Sequence, residues 1–310
     1  MTKKKHQPRD IYTLADLRNW REMRRDIQPP VRLGVFGDPV VHSLSPKIQN
    51  AALKHHKIEL HYSAFQIAPN ELQEALRLTR ALDFVGVNLT VPHKIAALAQ
   101  IDDVDPTAKK IGAINTVAQR GGKLDGFNTD ALAFSRAVRE EFAVDLRDLR
   151  VLVLGAGGAA RAIATQCGME ACERLVIANR TLEKANQLAE RVREFFVGPR
   201  VLGPVARLQT IPWDDAAFRF QIANVDIIVN ATPLGLHPTD ASPIPARLLT
   251  PHLMIYDTTY APGRTPFVAA GLEAGARAAN GLSMLVHQAA LSFQTWFGRE
   301  APLDILRQAL

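Results

Sequence analysis

Lys94 ends the string Asn88-Leu-Thr90-Val-Pro92-His-Lys94, and Asp130 ends Gly126-Phe-Asn128-Thr129-Asp130. An ammonium and a carboxylate around one hydroxyl make a proton-transfer couple suited to alcohol–ketone interconversion. Pro92 reads as the first position of a helix, so Lys94 falls in the first turn, where the helix dipole disfavours a cation. Asp130 has a plainer reading beside the chemical one, because a carboxylate at a helix start satisfies N–H groups and the dipole. Uncharged donors accompany the pair. Asn88 and Thr90 alternate on one face of an extended segment, and Asn115-Thr116 adds two more. In Asp38-Pro-Val-Val-His-Ser43-Leu-Ser45-Pro46, Ser45-Pro46 reads as an N-cap followed by a first-position proline. That leaves Ser43 unexplained, and two hydroxyls at a helix N-terminus suit a carboxylate. The set fits a small polyhydroxylated carboxylate. His42, His55, His56 and His93 have no metal-ligand spacing, and no metal is expected.

A second chemistry starts at Val151. The sequence Val151-Leu-Val-Leu-Gly155-Ala156-Gly157-Gly158-Ala159-Ala160 reads as strand, G-x-G-x-x-A turn and helix. The first glycine makes the turn, the second admits a pyrophosphate, and the third slot needs a small residue for helix–strand packing. The helix N-terminus then offers N–H groups and the positive dipole end to phosphate. At the end of the next strand an NAD site usually carries Asp or Glu for the ribose 2′-hydroxyl. Here the chain reads Ala178-Asn179-Arg180-Thr181-Leu-Glu-Lys184. The acid is missing, Arg180 is able to fork onto a 2′-phosphate, Lys184 adds charge and Thr181 is placed to cap the next helix. NADP is the expected cofactor.

The elements that must position these groups alternate. Strands are expected at 32–36, 60–66 and 84–89, with helices at 46–57 and 70–81. A hairpin spans 113–120 and 123–127 about Gly121-Gly122, and a helix runs from 130 to 142. Strand–helix–strand at this spacing signals a parallel, right-handed sheet. A second series follows: strands at 151–154, 175–178, 225–229 and 254–256, with helices to about Cys167 and over 182–195. Helices over 283–296 and 303–309 close the chain. The expected division is an extension over 1–30, a substrate-binding and catalytic domain over 31–140 rejoined by helices 282–310, and a nucleotide domain over 145–281.

Composition narrows the class. The chain has 310 residues, 47% hydrophobic and 22% charged, which excludes a mostly disordered protein. Net charge is +6, and residues 1–30 carry eight basic against four acidic residues, so the rest is nearly balanced. That balance argues against a nucleic-acid-binding face. The basic head has no apolar core, so it is no secretory signal. Thr13 with Asp16 makes a capping box for a helix expected over 14–25, whose Leu14, Leu17 and Trp20 form an apolar stripe. This extension is expected to be dispensable for chemistry. No apolar run reaches the ~18 residues of a membrane span. Two cysteines, Cys167 and Cys172, form no disulfide framework, and a cytoplasmic location is expected.

With these residues the chain resembles the shikimate dehydrogenase family over about Val31 to Leu310. The resemblance rests on His42-Ser43-Leu44-Ser45-Pro46, Asn88–Lys94, Gly112–Thr116 and Asn128–Asp130, and on Gly155–Ala159 and Asn179–Thr181. It continues through Asn230–Pro233, Asp257–Tyr260 and Gly281–Ala290. It implies an α/β fold of two domains, a substrate domain with a mostly parallel sheet and a Rossmann-type NADP domain, with a cleft between them. It further implies reversible NADPH-dependent reduction of 3-dehydroshikimate to shikimate, in chorismate and aromatic amino-acid synthesis, by a monomer or homodimer. Ser43, Ser45 and Tyr260 would hold the substrate carboxylate. Thr90, Asn115, Asp130 and Gln288 would hold ring hydroxyls with Asn88 close by, and Lys94 beside Asp130 would transfer the proton. Gly155, Ala156, Gly157, Gly158 and Ala159 would wrap the pyrophosphate. Asn179, Arg180, Thr181 and Lys184 would take the 2′-phosphate end, and Thr258 and Gly281 the nicotinamide end. Leu44 stands where many members carry lysine and where relatives acting on quinate show leucine. One alternative is an NAD-dependent quinate/shikimate dehydrogenase, which Leu44 favours and Arg180 speaks against; the other is a metabolite-sensing regulator without turnover, which only the basic extension favours. The intact Lys94 and Asp130 speak against the regulator.

Overall fold

The computed structural model describes residues 6–197, 206–237, 239–261 and 263–310; Lys3, Lys4 and Lys5 of the basic head lie outside the described residues. The chain divides into two compact units. The first runs to Thr129 and resumes from Val286 to Leu310, and the second is Asp130–Leu285. The division at Thr129 precedes the polar stretch expected to mark it, because the helix from Asp130 packs with the second series. The chain returns to the first unit inside its long penultimate helix.

Unit 1 contains, in order, β1 (Ile11–Thr13), α1 (Leu14–Arg18), α2 (Trp20–Met23), β2 (Val31–Gly37), α3 (Ser45–His55) and β3 (His61–Gln66). It continues with α4 (Leu72–Ala81), β4 (Gly86–Leu89), α5 (His93–Ala96), β5 (Asp103–Val104), α6 (Pro106–Ile111), β6 (Thr116–Arg120) and β7 (Lys123–Phe127). The seven strands described here form one sheet in the order β1-β3-β2-β4-β6-β7-β5. The β4–β6 and β6–β7 pairs are antiparallel, the latter the Gly121-Gly122 hairpin, and the other pairs are parallel.

The described part of the extension, residues 6–30, is not an appendage. Ile11, Tyr12 and Thr13 pair in parallel with Ala64, Phe65 and Gln66, so residues 11–13 are an edge strand of the sheet. The Thr13–Asp16 capping box forms, but the expected single helix over 14–25 breaks at Asn19 into α1 and α2. The break turns Trp20 inward, where it is 1% exposed. Its ring meets Tyr12 edge-on at 4.9 Å and lies 5.7 Å from both Phe65 and Phe84. Leu14, Leu17 and Trp20 join Phe36, Leu72, Leu76 and Val87 in one apolar cluster.

Unit 2 contains α7 (Asp130–Phe142), β8 (Arg150–Leu154), α8 (Gly158–Met169), β9 (Arg174–Ala178), α9 (Leu182–Val192), β10 (Leu208–Ile211) and α10 (Asp215–Ile222). After these come β11 (Ile227–Asn230), β12 (Met254–Asp257), α11 (Pro266–Glu273) and β13 (Arg277–Asn280). Its six described strands are all parallel in the order β10-β9-β8-β11-β12-β13, the 3-2-1-4-5-6 order of a dinucleotide-binding sheet. Strands with buried faces on both sides read as unbroken apolar runs, as Val151-Leu-Val-Leu154 does.

Helix α12 (Leu282–Phe297) starts in unit 2 and continues in unit 1, and α13 (Leu303–Gln308) follows. The returning segment is bound to α3. The Gln49 side chain donates to the Ala289 carbonyl at 3.0 Å, the Lys47 ammonium to that of Leu310 at 3.0 Å, and His56 stacks on Phe293.

Candidate active site

In unit 1, β2 has β3 on one side and β4 on the other. Loops leaving the carboxyl ends of strands at such a switch point form a crevice. The loops leaving β2 and β4 carry the two serines and the Thr90–Lys94 string. They are joined by the Asp38 N–H, which donates to the Val91 carbonyl at 3.0 Å, and the Thr90 N–H donates back to Phe36 at 2.9 Å. A Cβ at Gly37 would stand 2.5 Å from Cγ2 of Thr90, so only glycine lets Thr90 sit there. Ser43 Oγ accepts the Ser45 N–H at 3.3 Å. Ser45 is the first helical residue of α3 and Leu44 occupies the cap, one position earlier than expected. Ser43 takes the capping part instead, by holding the first helical N–H.

Pro92 is likewise the cap of α5 rather than its first residue, and α5 is a single turn. Lys94 remains in that turn, half-buried. Its carbonyl accepts the Ile114 N–H at 2.7 Å, which fixes it against the segment entering β6. His93 points inward to the Ile67 carbonyl at 2.8 Å, and burial pulls its imidazole below the ordinary value.

Beneath these loops lies a buried lattice of polar side chains. The Asn88 amide donates to the Asn115 carbonyl at 3.1 Å, to Thr116 Oγ1 at 3.1 Å and to Ser292 Oγ at 3.0 Å. Its carbonyl oxygen accepts the Tyr62 hydroxyl at 2.8 Å. Asn115 donates to Thr129 Oγ1 at 2.9 Å and accepts the Thr129 N–H at 2.8 Å. Buried polar groups must be paired, and here they are paired with one another. Gln288, buried on α12, sits one turn before Ser292. Thr116 and Thr129 lay within the strings singled out in the sequence. Tyr62 and Ser292 did not, and no local pattern marks either.

In unit 2 the glycine turn follows β8 at that sheet's own switch point. Gly155 has φ +113°, a conformation that favours glycine, and its N–H donates to the Ala178 carbonyl at 2.7 Å. Gly157 caps α8 without a side-chain bond, and the space where its Cβ would stand is open for 4 Å. Ala160 is fully buried where the helix packs on the sheet. A bare helix N-terminus behind an open glycine fits a pyrophosphate. Ala156, Gly158 and Ala159 line the same turn, half-buried.

At the end of β9, Asn179 donates to the Thr181 carbonyl at 2.9 Å and shapes the turn. Arg180, Thr181 and Lys184 are all exposed. Thr181 occupies the cap of α9, but its side chain makes no cap bond. The turn therefore offers a guanidinium, an ammonium and a hydroxyl to solvent, which fits a 2′-phosphate.

The ends of β11 and β12 are held by Asp257. Its carboxylate accepts from the Asn230 amide at 2.8 Å, Thr259 Oγ1 at 2.9 Å and Thr265 Oγ1 at 2.7 Å. Burial pushes this carboxyl above its ordinary value, against those bonds. Thr258 and Tyr260 follow in the same loop. The Thr258 N–H donates to the Asn230 carbonyl at 2.9 Å, and the Gly281 N–H to that of Thr259 at 3.0 Å. A Cβ at Gly281 would lie 2.3 Å from the Thr258 carbonyl oxygen. Asp130 is the buried first residue of α7. Among the described residues no cluster of His, Cys, Asp and Glu could hold a metal, and no helix is long and apolar enough to cross a membrane.

Three family models match this chain. Residues 35–117 match a shikimate dehydrogenase substrate binding domain, 136–203 a shikimate / quinate 5-dehydrogenase model, and 281–310 a shikimate 5′-dehydrogenase C-terminal domain. The chain is 42% identical over 279 residues to shikimate dehydrogenase (NADP(+)) of Symbiobacterium thermophilum, covering 89% of this chain and 92% of that protein. It is 40% identical over 280 residues to the enzyme of the same name from Methanopyrus kandleri, covering 90% and 94%. The solved structure of shikimate 5-dehydrogenase from Thermus thermophilus, in complex with NADP(H) and shikimate, superposes with a TM-score of 0.77 at 36% identity, covering 90% of this chain and 100% of that one.

Proposed function

Because the chain belongs to the shikimate dehydrogenase family, we propose that it catalyses the reversible NADPH-dependent reduction of 3-dehydroshikimate to shikimate, a step of aromatic amino-acid synthesis. The observation that carries this reading is the join between the serine loop and the lysine loop at the β2–β4 switch point, made by the Asp38 N–H and the Val91 carbonyl. It sets the loop that carries the hydroxyls proposed for the carboxylate beside the loop that carries the lysine proposed for proton transfer.

Ser43 and Ser45 take the carboxylate, and Thr90, Asn115 and Gln288 the ring hydroxyls, with Asn88 supporting Asn115. Lys94 holds the proton that the ketone oxygen gains on reduction. In unit 2, Asp130 accepts from a ring hydroxyl and Tyr260 is a further donor to the carboxylate. Bound NADPH supplies the hydride. Gly155–Ala159 hold its pyrophosphate, and Arg180 and Lys184, with Asn179 and Thr181, take its 2′-phosphate. Thr258 and Gly281 take its nicotinamide end. Cys167 and Cys172 are free, buried thiols, which suits the reducing cytoplasm.

Initial rates with shikimate and with quinate, each with NADP+ and with NAD+, test the reading. Turnover of shikimate with NADP+ well above the other three combinations is expected. Preference for quinate with NAD+ overturns the assignment of substrate and cofactor, and shikimate binding without turnover overturns the assignment as an enzyme.

A further inference from the structure

The lattice under the substrate loops centres on Ser292, which lies in neither the serine nor the lysine loop. Its hydroxyl is fully buried on α12. It donates to the Gln288 carbonyl at 2.9 Å, accepts from the Asn88 amide at 3.0 Å, and lies 2.8 Å from Thr116 Oγ1 and 3.2 Å from Thr129 Oγ1. One oxygen thus links the turn of α12 that bears Gln288, the strand that bears Asn88, and the two threonines that bond the Asn115 side chain.

The inventory of Asn88 shows what this does. A carboxamide has two N–H hydrogens and two acceptor lone pairs. The Asn88 nitrogen faces three protein acceptors, so both hydrogens are committed inside the protein. Its oxygen already accepts the Tyr62 hydroxyl at 2.8 Å. What Asn88 has left to offer a ligand is the second lone pair of that oxygen. Ser292 on the nitrogen and Tyr62 on the oxygen fix which way the amide faces.

We propose that Ser292 is a positioning residue for substrate, with Tyr62 as its counterpart across Asn88. The two hydroxyls hold Asn88 with an acceptor outward, and Ser292 sets the register of Gln288 and Asn115 against it. The inference rests on the functional reading above and adds two residues that lie outside every motif of the sequence.

The experiment compares Ser292→Ala, Ser292→Thr and Tyr62→Phe in the full chain, assayed well below each variant's own Tm. Loss of one buried hydrogen bond that orients substrate ligands raises the KM for shikimate about tenfold in Ser292→Ala. The KM for NADP+ stays within about twofold, because the cofactor residues are on other elements. Tyr62→Phe shifts the shikimate KM in the same direction, and Ser292→Thr, which keeps the hydroxyl, recovers most of the wild-type value. A purely structural role lowers Tm and leaves both KM values unmoved, and that result in Ser292→Ala and Tyr62→Phe overturns the proposal. Tyr62→Phe keeps the ring and removes one atom, so it decides the matter even where Ser292→Ala does not fold. A wild type that oxidises no shikimate overturns the functional reading and the proposal with it. An active wild type whose variants keep its shikimate KM overturns the proposal alone.

Discussion

The Lys94 carbonyl accepts the Ile114 N–H at 2.7 Å, so the one-turn helix that carries the lysine is fastened through its main chain to the residue before Asn115. The backbone at Lys94 is thus held by a main-chain bond, and a side-chain substitution leaves that bond in place.

Lys94→Ala is accordingly expected to lower kcat by ~100- to 10,000-fold, the usual cost of losing a positioned acid–base group. Equilibrium binding of shikimate should change little. A variant that keeps near-normal kcat at its own pH optimum would show that another group moves the proton.

Arg180→Ala should weaken NADPH by roughly 10- to 150-fold, the equivalent of a charge-assisted hydrogen bond of about 1.5–3 kcal/mol. Arg180 is exposed, so the substitution leaves the core untouched. Binding of NADH serves as the control and should barely move. Equal losses for both nucleotides would remove Arg180 from the 2′-phosphate.

Deleting residues 1–28 is expected to cost the fold. The deletion removes the edge strand on β3 and takes Tyr12, Leu14, Leu17 and Trp20 out of the core. Truncating one buried aromatic of this size typically costs about 3–5 kcal/mol. Thermal unfolding of Trp20→Ala against wild type gives the cleanest measure, and an unchanged Tm would contradict the placement of this segment.

Gly281→Ala forces the backbone at the end of β13 away from the Thr258 carbonyl, since the methyl would lie 2.3 Å from that oxygen. Overpacking of this kind usually costs about 1–3 kcal/mol. The Tm should fall, and the KM for NADP+ should rise more than that for shikimate. Crystallography of the variant would reveal the displaced Thr258 loop.

Acid should destabilise the protein in part through His93. Burial lowers its folded-state value, so the unfolded chain takes up the proton first. The neutral ring's contribution is full above the unfolded value of about 6.5 and falls away as pH drops through it. His93→Gln, which keeps an N–H for the Ile67 carbonyl, should flatten Tm against pH between about 7 and 5. Part of the slope should persist, since burial lowers His61 in the same direction.

Local signals carried much of the fold into view. The hairpin needed only Gly121-Gly122, and Val151-Leu-Val-Leu154 with its glycine turn located β8 and the start of α8. Helix α7 spans the residues its periodicity implies. Caps were harder to read. Ser45 and Pro92 each sit one place from the expected position: Ser45 is the first helical residue, its own N–H held by Ser43 Oγ, and Pro92 is the cap of α5. Strand β13, Arg-Ala-Ala-Asn, has no apolar signature, and its pairing with β12 alone makes it a strand.

What the sequence by itself determined is the local geometry at the chain's turns, where the chemistry is proposed. Glycines, prolines, caps and the acid missing at Asn179-Arg180 act within a few residues of one another, so their meaning survives without a fold. What only the tertiary structure decided is which distant residues support that chemistry. β1 becomes an edge strand because Tyr12 and Trp20 find Phe65, and Ser292 reaches Asn88 across 204 residues. Nothing near Ser292 distinguishes its hydroxyl from one that faces water. Burial against Asn88, Thr116 and Thr129 makes it a shared hydrogen-bonding centre, and only the packing of α12 on β4 and β6 supplies that burial.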